Sequence, residues 1–128
     1  MSNLSTPSAL LCSGFVGLLL KFSQAASSHS IMTSSIPEKE SLISQAIPAV
    51  IVCFNENIGH EYRALSVTGE SGNRFDNDPI EQFKKDNQLC LKKQLKPLTP
   101  GDYQVRYRVQ SNDGHVVSGK YNFSFKAN

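Results

Sequence analysis

The alternation across residues 103–125 constrains this chain more than any other feature. Tyr103, Val105, Tyr107 and Val109 alternate with Gln104, Arg106, Arg108 and Gln110. A period of two marks a strand with one buried face. After a polar break the alternation resumes, with Tyr121, Phe123 and Phe125 on one side and Asn122, Ser124 and Lys126 on the other. Pro100-Gly101 ahead of the first run is a turn signal. Two long strands therefore flank a polar corner that contains Asp113-Gly114-His115.

That corner supports two readings. Asp-Gly is ordinary turn chemistry, because glycine supplies positive φ and aspartate caps its own backbone. On that view His115 is an incidental exposed side chain. The same three residues also present one oxygen and one nitrogen donor on rigid flanks, a mix that suits Cu(II) or Zn(II). Local sequence alone does not separate the two.

The rest of the chain follows the same strand logic. In residues 48–56, Val50, Val52 and Phe54 share one face, with Ile51 and Cys53 on the other. Residues 64–68 form a second strand, closed by a turn at 69–74, and 89–91 a third. Residues 75–88 are polar and rich in Asn and Asp, which predicts a long loop or short helix. Short strands, turn signals and the lack of a long helical pattern argue for an all-β sandwich. At 128 residues the chain has room for one such domain. The net charge is +2 with acids and bases interspersed. That gives no basic stripe for nucleic acid and no basic amphipathic helix for a membrane surface. Arg106 and Arg108 are expected on a solvated strand face with cross-strand partners. His60, in Asn-Ile-Gly-His-Glu, is expected on an exposed loop.

Residues 1–28 read as a secretory signal peptide, leaving a domain at 29–128. Residues 9–20 are apolar apart from Ser13 and Gly14. The run falls short of the ~20 residues that span a bilayer and fits the core of a signal. Ala26 and Ser28 satisfy the small-x-small rule for cleavage before His29. The departure is that no Lys or Arg precedes the apolar run, and Lys21 follows it, which leaves a buried apolar segment or an uncleaved anchor as the alternative. Cleavage there would remove Cys12 and leave Cys53 and Cys90. An oxidising compartment permits a disulfide between them; the alternative is two separately buried thiols. The bond needs Cα atoms within about 7 Å.

The stretch 98–125, Leu-Thr-Pro-Gly-Asp-Tyr-x-Val-Arg-Tyr-Arg-Val-x-Ser-x-Asp-Gly-His-x-x-Ser-Gly-x-Tyr-x-Phe, resembles the C-terminal half of the CopC family of periplasmic copper-binding proteins. A His followed some residues later by Ser-x-Pro, here His29 and Ser35-Ile36-Pro37, resembles the family's mature start. Phe54-Asn55-Glu56 is similar to a family strand ending in Phe-Ser-Glu. The resemblance covers most of 29–125 and is weak between 75 and 88. It implies an Ig-like, Greek-key β-sandwich, a cupredoxin-like small barrel. It also implies a Cu(II) site built from His29, Asp113 and His115, with no thioether Cu(I) site, since Met1 and Met32 are the chain's two methionines.

The implied ligands are chemically coherent. An N-terminal histidine offers its α-amine and Nδ1 to one metal. The amine's ordinary pKa is near ~8, so Cu(II) can displace its proton at neutral pH. With His115 nitrogen and Asp113 oxygen the set is three nitrogens and one oxygen, which matches the tetragonal preference of Cu(II). The expected role is non-catalytic copper resistance, sequestration or delivery in the periplasm. The expected partners are a copper ion and an inner-membrane copper transporter, with no nucleic acid, and the expected state is a monomer. Two alternatives remain: a histidine-brace copper oxidase or monooxygenase, and a metal-free Ig-like interaction module.

Overall fold

The structure is a computed structural model, and it describes residues 32–55 and 58–128 together with residues 3, 14 and 17. The rest of the proposed signal, His29, Glu56 and the side chain of His60 lie outside the described residues. Among the described residues eight strands follow in order: β1 Met32–Ile36, β2 Ser41–Ile43, β3 Ala49–Phe54, β4 Ile58–Gly69, β5 Asp76–Lys85, β6 Gln88–Leu95, β7 Gly101–Ser111 and β8 Val116–Phe125. They form two four-stranded sheets, β1-β3-β6-β5 and β2-β8-β7-β4. Every pairing is antiparallel except the short β2 against β8. Among the described residues no helix is long and apolar enough to cross a membrane.

The alternation expected for β7 and β8 is present. Tyr103, Val105, Val109, Tyr121, Phe123 and Phe125 are buried against Val50, Val52, Phe54 and Leu91 of the facing sheet. Tyr107 is the half-buried member of that row. It lies opposite Gly119, and a Cβ there would overlap its ring and hydroxyl. Glycine is therefore what lets this tyrosine lie flat on its neighbour strand. The Tyr103 hydroxyl donates to the Thr99 carbonyl and accepts from Thr99 N–H at 3.0 Å. Such a tyrosine corner ties the entry of a strand to its own core residue.

The expectation of a loop or helix at 75–88 is corrected: β5 occupies most of it. This strand lies at a sheet edge and pairs with β6 through a two-residue turn at Asp86 and Asn87, both at positive φ. Positive φ at both central residues matches the twist of a hairpin. An edge strand buries little, so it needs few apolar residues, and its register shifts between Asn77 and Ile80, beside Pro79. Proline and bulges belong at such edges. His60 is also corrected from a loop to the backbone of β4, and that strand begins earlier than the 64–68 expected.

Cys53 and Cys90 face each other on β3 and β6 with Cα atoms 4.0 Å apart and form a disulfide. It sits on the outer side of the sheet, away from Val52 and Phe54.

Lys93 of β6, a charged residue, occupies an inward position. Its ammonium is 2.7 Å from Asp76 Oδ2 and 3.2 Å from Asp78 Oδ1. The Asp76 carboxylate is almost wholly buried and also takes Arg74 at 2.6 Å and Val67 N–H at 2.9 Å. Val67 belongs to the other sheet, so this carboxylate clasps the two sheets where β4 passes to β5. Burial alone would raise the Asp76 pKa. The hydrogen bonds from Arg74, Lys93 and Val67 outweigh it and hold the group well below the usual carboxylate range.

Asp76→Ala should destabilise the protein by about 3 kcal/mol in urea denaturation at pH 7. That is the low end for breaking a buried pair, because Asp78 stays beside Lys93. Because the folded pKa is depressed, Asp76 stabilises fully above its unfolded value near ~4 and loses this contribution as pH falls below it. The acid-side slope of stability should therefore shrink in the variant. In the non-reduced, denatured protein, Cys53 and Cys90 should resist alkylation; two reactive thiols at these positions would refute the bond.

Candidate metal centre

The corner closes the hairpin between β7 and β8. Ser111 N–H donates to the His115 carbonyl at 2.9 Å, and Gly114 N–H to the Ser111 carbonyl at 3.0 Å. Gly114 has φ +87°, a conformation other residues adopt only with strain. These contacts shape a tight loop whose side chains are set by the backbone rather than by packing.

Asp113 and His115 meet within it. His115 Nδ1 lies 2.9 Å from Asp113 Oδ2. The other carboxylate oxygen accepts His115 N–H at 3.1 Å and the Ser111 hydroxyl. Ser111 is buried, with 2% of its surface exposed, so it anchors the carboxylate from below. The Asp113 side chain is 26% exposed and that of His115 65%. The aspartate is thus held, and the imidazole stands out from the surface with one edge fixed against it. A carboxylate on one ring nitrogen orients the ring and raises the basicity of the other nitrogen, the arrangement that commonly backs a metal-binding histidine.

Of the three expected ligands, the structure brings Asp113 and His115 together, and His29 lies outside the described residues. Ser111, which positions Asp113, was not anticipated; the signal for it is its place two residues before an Asp-Gly turn, where hydroxyls bond neighbouring polar groups. Among the described residues, no group of three or more His, Cys, Asp or Glu side chains gathers as a metal site. Two donors are what the corner itself provides.

Ile58 at the start of β4 pairs with Ser111, and β3 ends at Phe54 just before it. Met32 pairs with Phe54. The first residue of β1 therefore sits at the same end of the sandwich as Asp113 and His115.

Fold and site together define a small two-sheet β-sandwich with an Asp–His pair at the tip of its longest hairpin. Residues 32–126 match the CopC domain, and the chain belongs to the CopC family. It is 34% identical over 97 residues to "Copper transport protein CutJ" of Bacillus subtilis, covering 75% of this chain but 18% of that protein. It is 27% identical over 117 residues to "Copper resistance protein C" of Escherichia coli, covering 86% of this chain and 91% of that one. The crystal structure of CopC from Methylosinus trichosporium OB3b superposes with a TM-score of 0.69 at 25% identity, over 78% of this chain and 96% of that one.

Ser111→Ala should cost about 1 kcal/mol, the usual worth of one internal hydrogen bond. It should leave β7 and β8 paired and speed amide exchange at Gly114 and His115. Unchanged exchange there would mean that the hydroxyl does not hold the corner.

Proposed function

We propose that this chain is a periplasmic Cu(II)-binding protein that acts in copper resistance, by sequestering the ion or delivering it. Copper is its cargo. The ligands on this reading are the α-amine and imidazole of His29, an imidazole nitrogen of His115 and a carboxylate oxygen of Asp113. Secretion with removal of residues 1–28 would create the free amine. An inner-membrane copper transporter is the proposed partner, and the protein works as a monomer.

The observation that carries this reading is the position of Met32. His29 lies three residues before it, and three residues extend at most about 11 Å. Met32 is fixed opposite Phe54, at the end of the sandwich that bears the Asp113–His115 pair. The geometry supports a corner that contributes two donors and a chain start able to contribute the remaining two. Family membership and the names of the relatives support copper as the ion.

Binding is favoured over catalysis by the place of Asp113. On the proposed ligand set a carboxylate oxygen of Asp113 fills an equatorial position that oxygen chemistry needs open. Ascorbate-reduced, copper-loaded protein should accordingly generate no more peroxide than free copper held by a simple chelator.

Two tests bear on the ligands. Replacing both corner residues, D113N with H115A, should abolish tight Cu(II) binding and leave the melting temperature within a few degrees, because both side chains lie on a surface loop. Unchanged affinity in that folded variant would move the site elsewhere. Adding one glycine before His29 converts the amine into an amide. Cu(II) should then bind at least ~10-fold more weakly, a loss of ~1.4 kcal/mol or more. Equal affinity of the two forms would remove the amine from the ligand set, and intact mass of the secreted protein reads the cleavage point directly.

A further inference from the structure

The middle of the outer face of β4, β7 and β8 carries Arg106, Arg108 and Lys120, while the acid of that row, Asp102, lies opposite Ser124 towards the far end from the corner. Arg106 lies opposite Lys120 on one side and Ser66 on the other; Arg108 lies opposite Ser118 and Ala64. The cross-strand partners expected for these arginines are therefore small or basic, not acidic. Arg106 Nε donates to Gln104 Oε1 at 2.7 Å, and the Arg108 guanidinium stands 5.4 Å from the centre of the Tyr62 ring. Among the described residues, the ion pairs involve Arg74, Lys93 and His115, and none reaches Arg106, Arg108 or Lys120. Like charges directly opposite each other destabilise a ladder. The Arg106–Lys120 pair is thus an unfavourable contact that no carboxylate among the described residues neutralises.

The surface there is also shaped. Small residues keep the floor low and the three cations rim a depression of about 540 Å³. Tyr62 stands exposed beside it. Tyrosine and arginine are the residues in which interface energy concentrates. The spacing selects the occupant. A single oxyanion needs donors that converge on one point. Here Arg106 and Arg108 are two residues apart along one strand, about 7 Å, and Lys120 lies across the ladder. An extended chain places alternate side chains at the same ~7 Å interval.

We propose that this face docks an extended acidic segment of a partner protein, carboxylates on alternate residues set against Arg106 and Arg108, with Lys120 beside Arg106 across the ladder adding to the first of these positions. The face belongs to the same hairpin as Asp113 and His115, so a partner held there has the corner within reach. Its part in copper exchange rests on the copper reading above; the docking does not.

The test uses the purified, copper-free protein and the capped peptide Asp-Ser-Asp-Ser-Asp-Ser-Asp, titrated by NMR at low ionic strength. Binding should shift the amides of β7 and β8 around Arg106 and Lys120 and weaken as salt rises. It should be at least ~10-fold weaker in the R106Q/R108Q/K120Q variant and retained in R106K/R108K/K120R, which keeps the charges. Equal affinity in the Gln variant overturns the proposal. Displacement by inorganic sulfate at equal ionic strength and peptide-like concentration overturns it in favour of a small-oxyanion site. Binding of phosphatidylglycerol vesicles through the same side chains, without peptide binding, overturns it in favour of a lipid surface. The H115A variant should bind the peptide as the parent does, so a failure of the copper reading leaves this result standing.

Discussion

Everything on this molecule depends on one ladder, the antiparallel register that runs from Gly101 against Phe125 to Gln110 against Val116. A slip of one residue would send every side chain to the other face. Tyr121, Phe123 and Phe125 would then meet water, and Lys120 and Asn122 would meet the core. The stacking of Tyr103 on Phe123, with ring centroids 5.3 Å apart, and the seat of Tyr107 over Gly119 both require this one alignment. The same alignment sets Arg106 beside Lys120 on the outside and closes the turn at Asp113 to His115. Core, basic face and corner are three consequences of a single pairing.

That dependence explains what could be read from the residues. β7 and β8 are half-buried along most of their length, so their alternation is strong and the corner between them is legible. β5 is not. Its burial is confined largely to Asp76, with Ile80, Gln82 and Phe83 part-buried, and an edge strand with two wet sides writes no alternation. What identifies it is pairing with β6, which is a property of two segments at once. Arg106 and Arg108 lie on the solvated face expected, but which residue faces each across the ladder follows from register, and register is not local. His60 fell on a strand because Ile58 pairs with Ser111 across an irregularity that interrupts any period in the sequence.

Lys93 marks a different limit. An inward lysine contradicts the pattern of the strand that carries it, and only the three-dimensional position of Asp76 resolves the conflict. Replacing such a buried pair by apolar residues is often neutral or stabilising, so stability is a weak reason to have it. Orientation is a better one. The carboxylate accepts Val67 N–H from the opposite sheet while it holds Lys93 in its own. Apolar contacts have no direction, whereas this arrangement is satisfied in one relative placement of the sheets. The crossover from β4 to β5 is fixed there, at the end of the sheet away from the corner, where Val67 and Val105 pair.

The corner turns the chain from β7 to β8. Asp113 is secured there by Ser111 and the backbone. Two donors on an exposed turn make a poor site for any cation, since each further ligand drawn from solution carries its own entropic cost. A ligand tethered a few residues away carries much less, because a short tether holds it at a high effective concentration. On the copper reading, the corner therefore selects the ion through its nitrogen and oxygen chemistry, while the segment ahead of Met32 sets how tightly it is held. Affinity becomes a property of how the chain is cut rather than of how it folds. The sandwich supplies the one thing both halves need, a strand β1 that begins at the end where β7 turns.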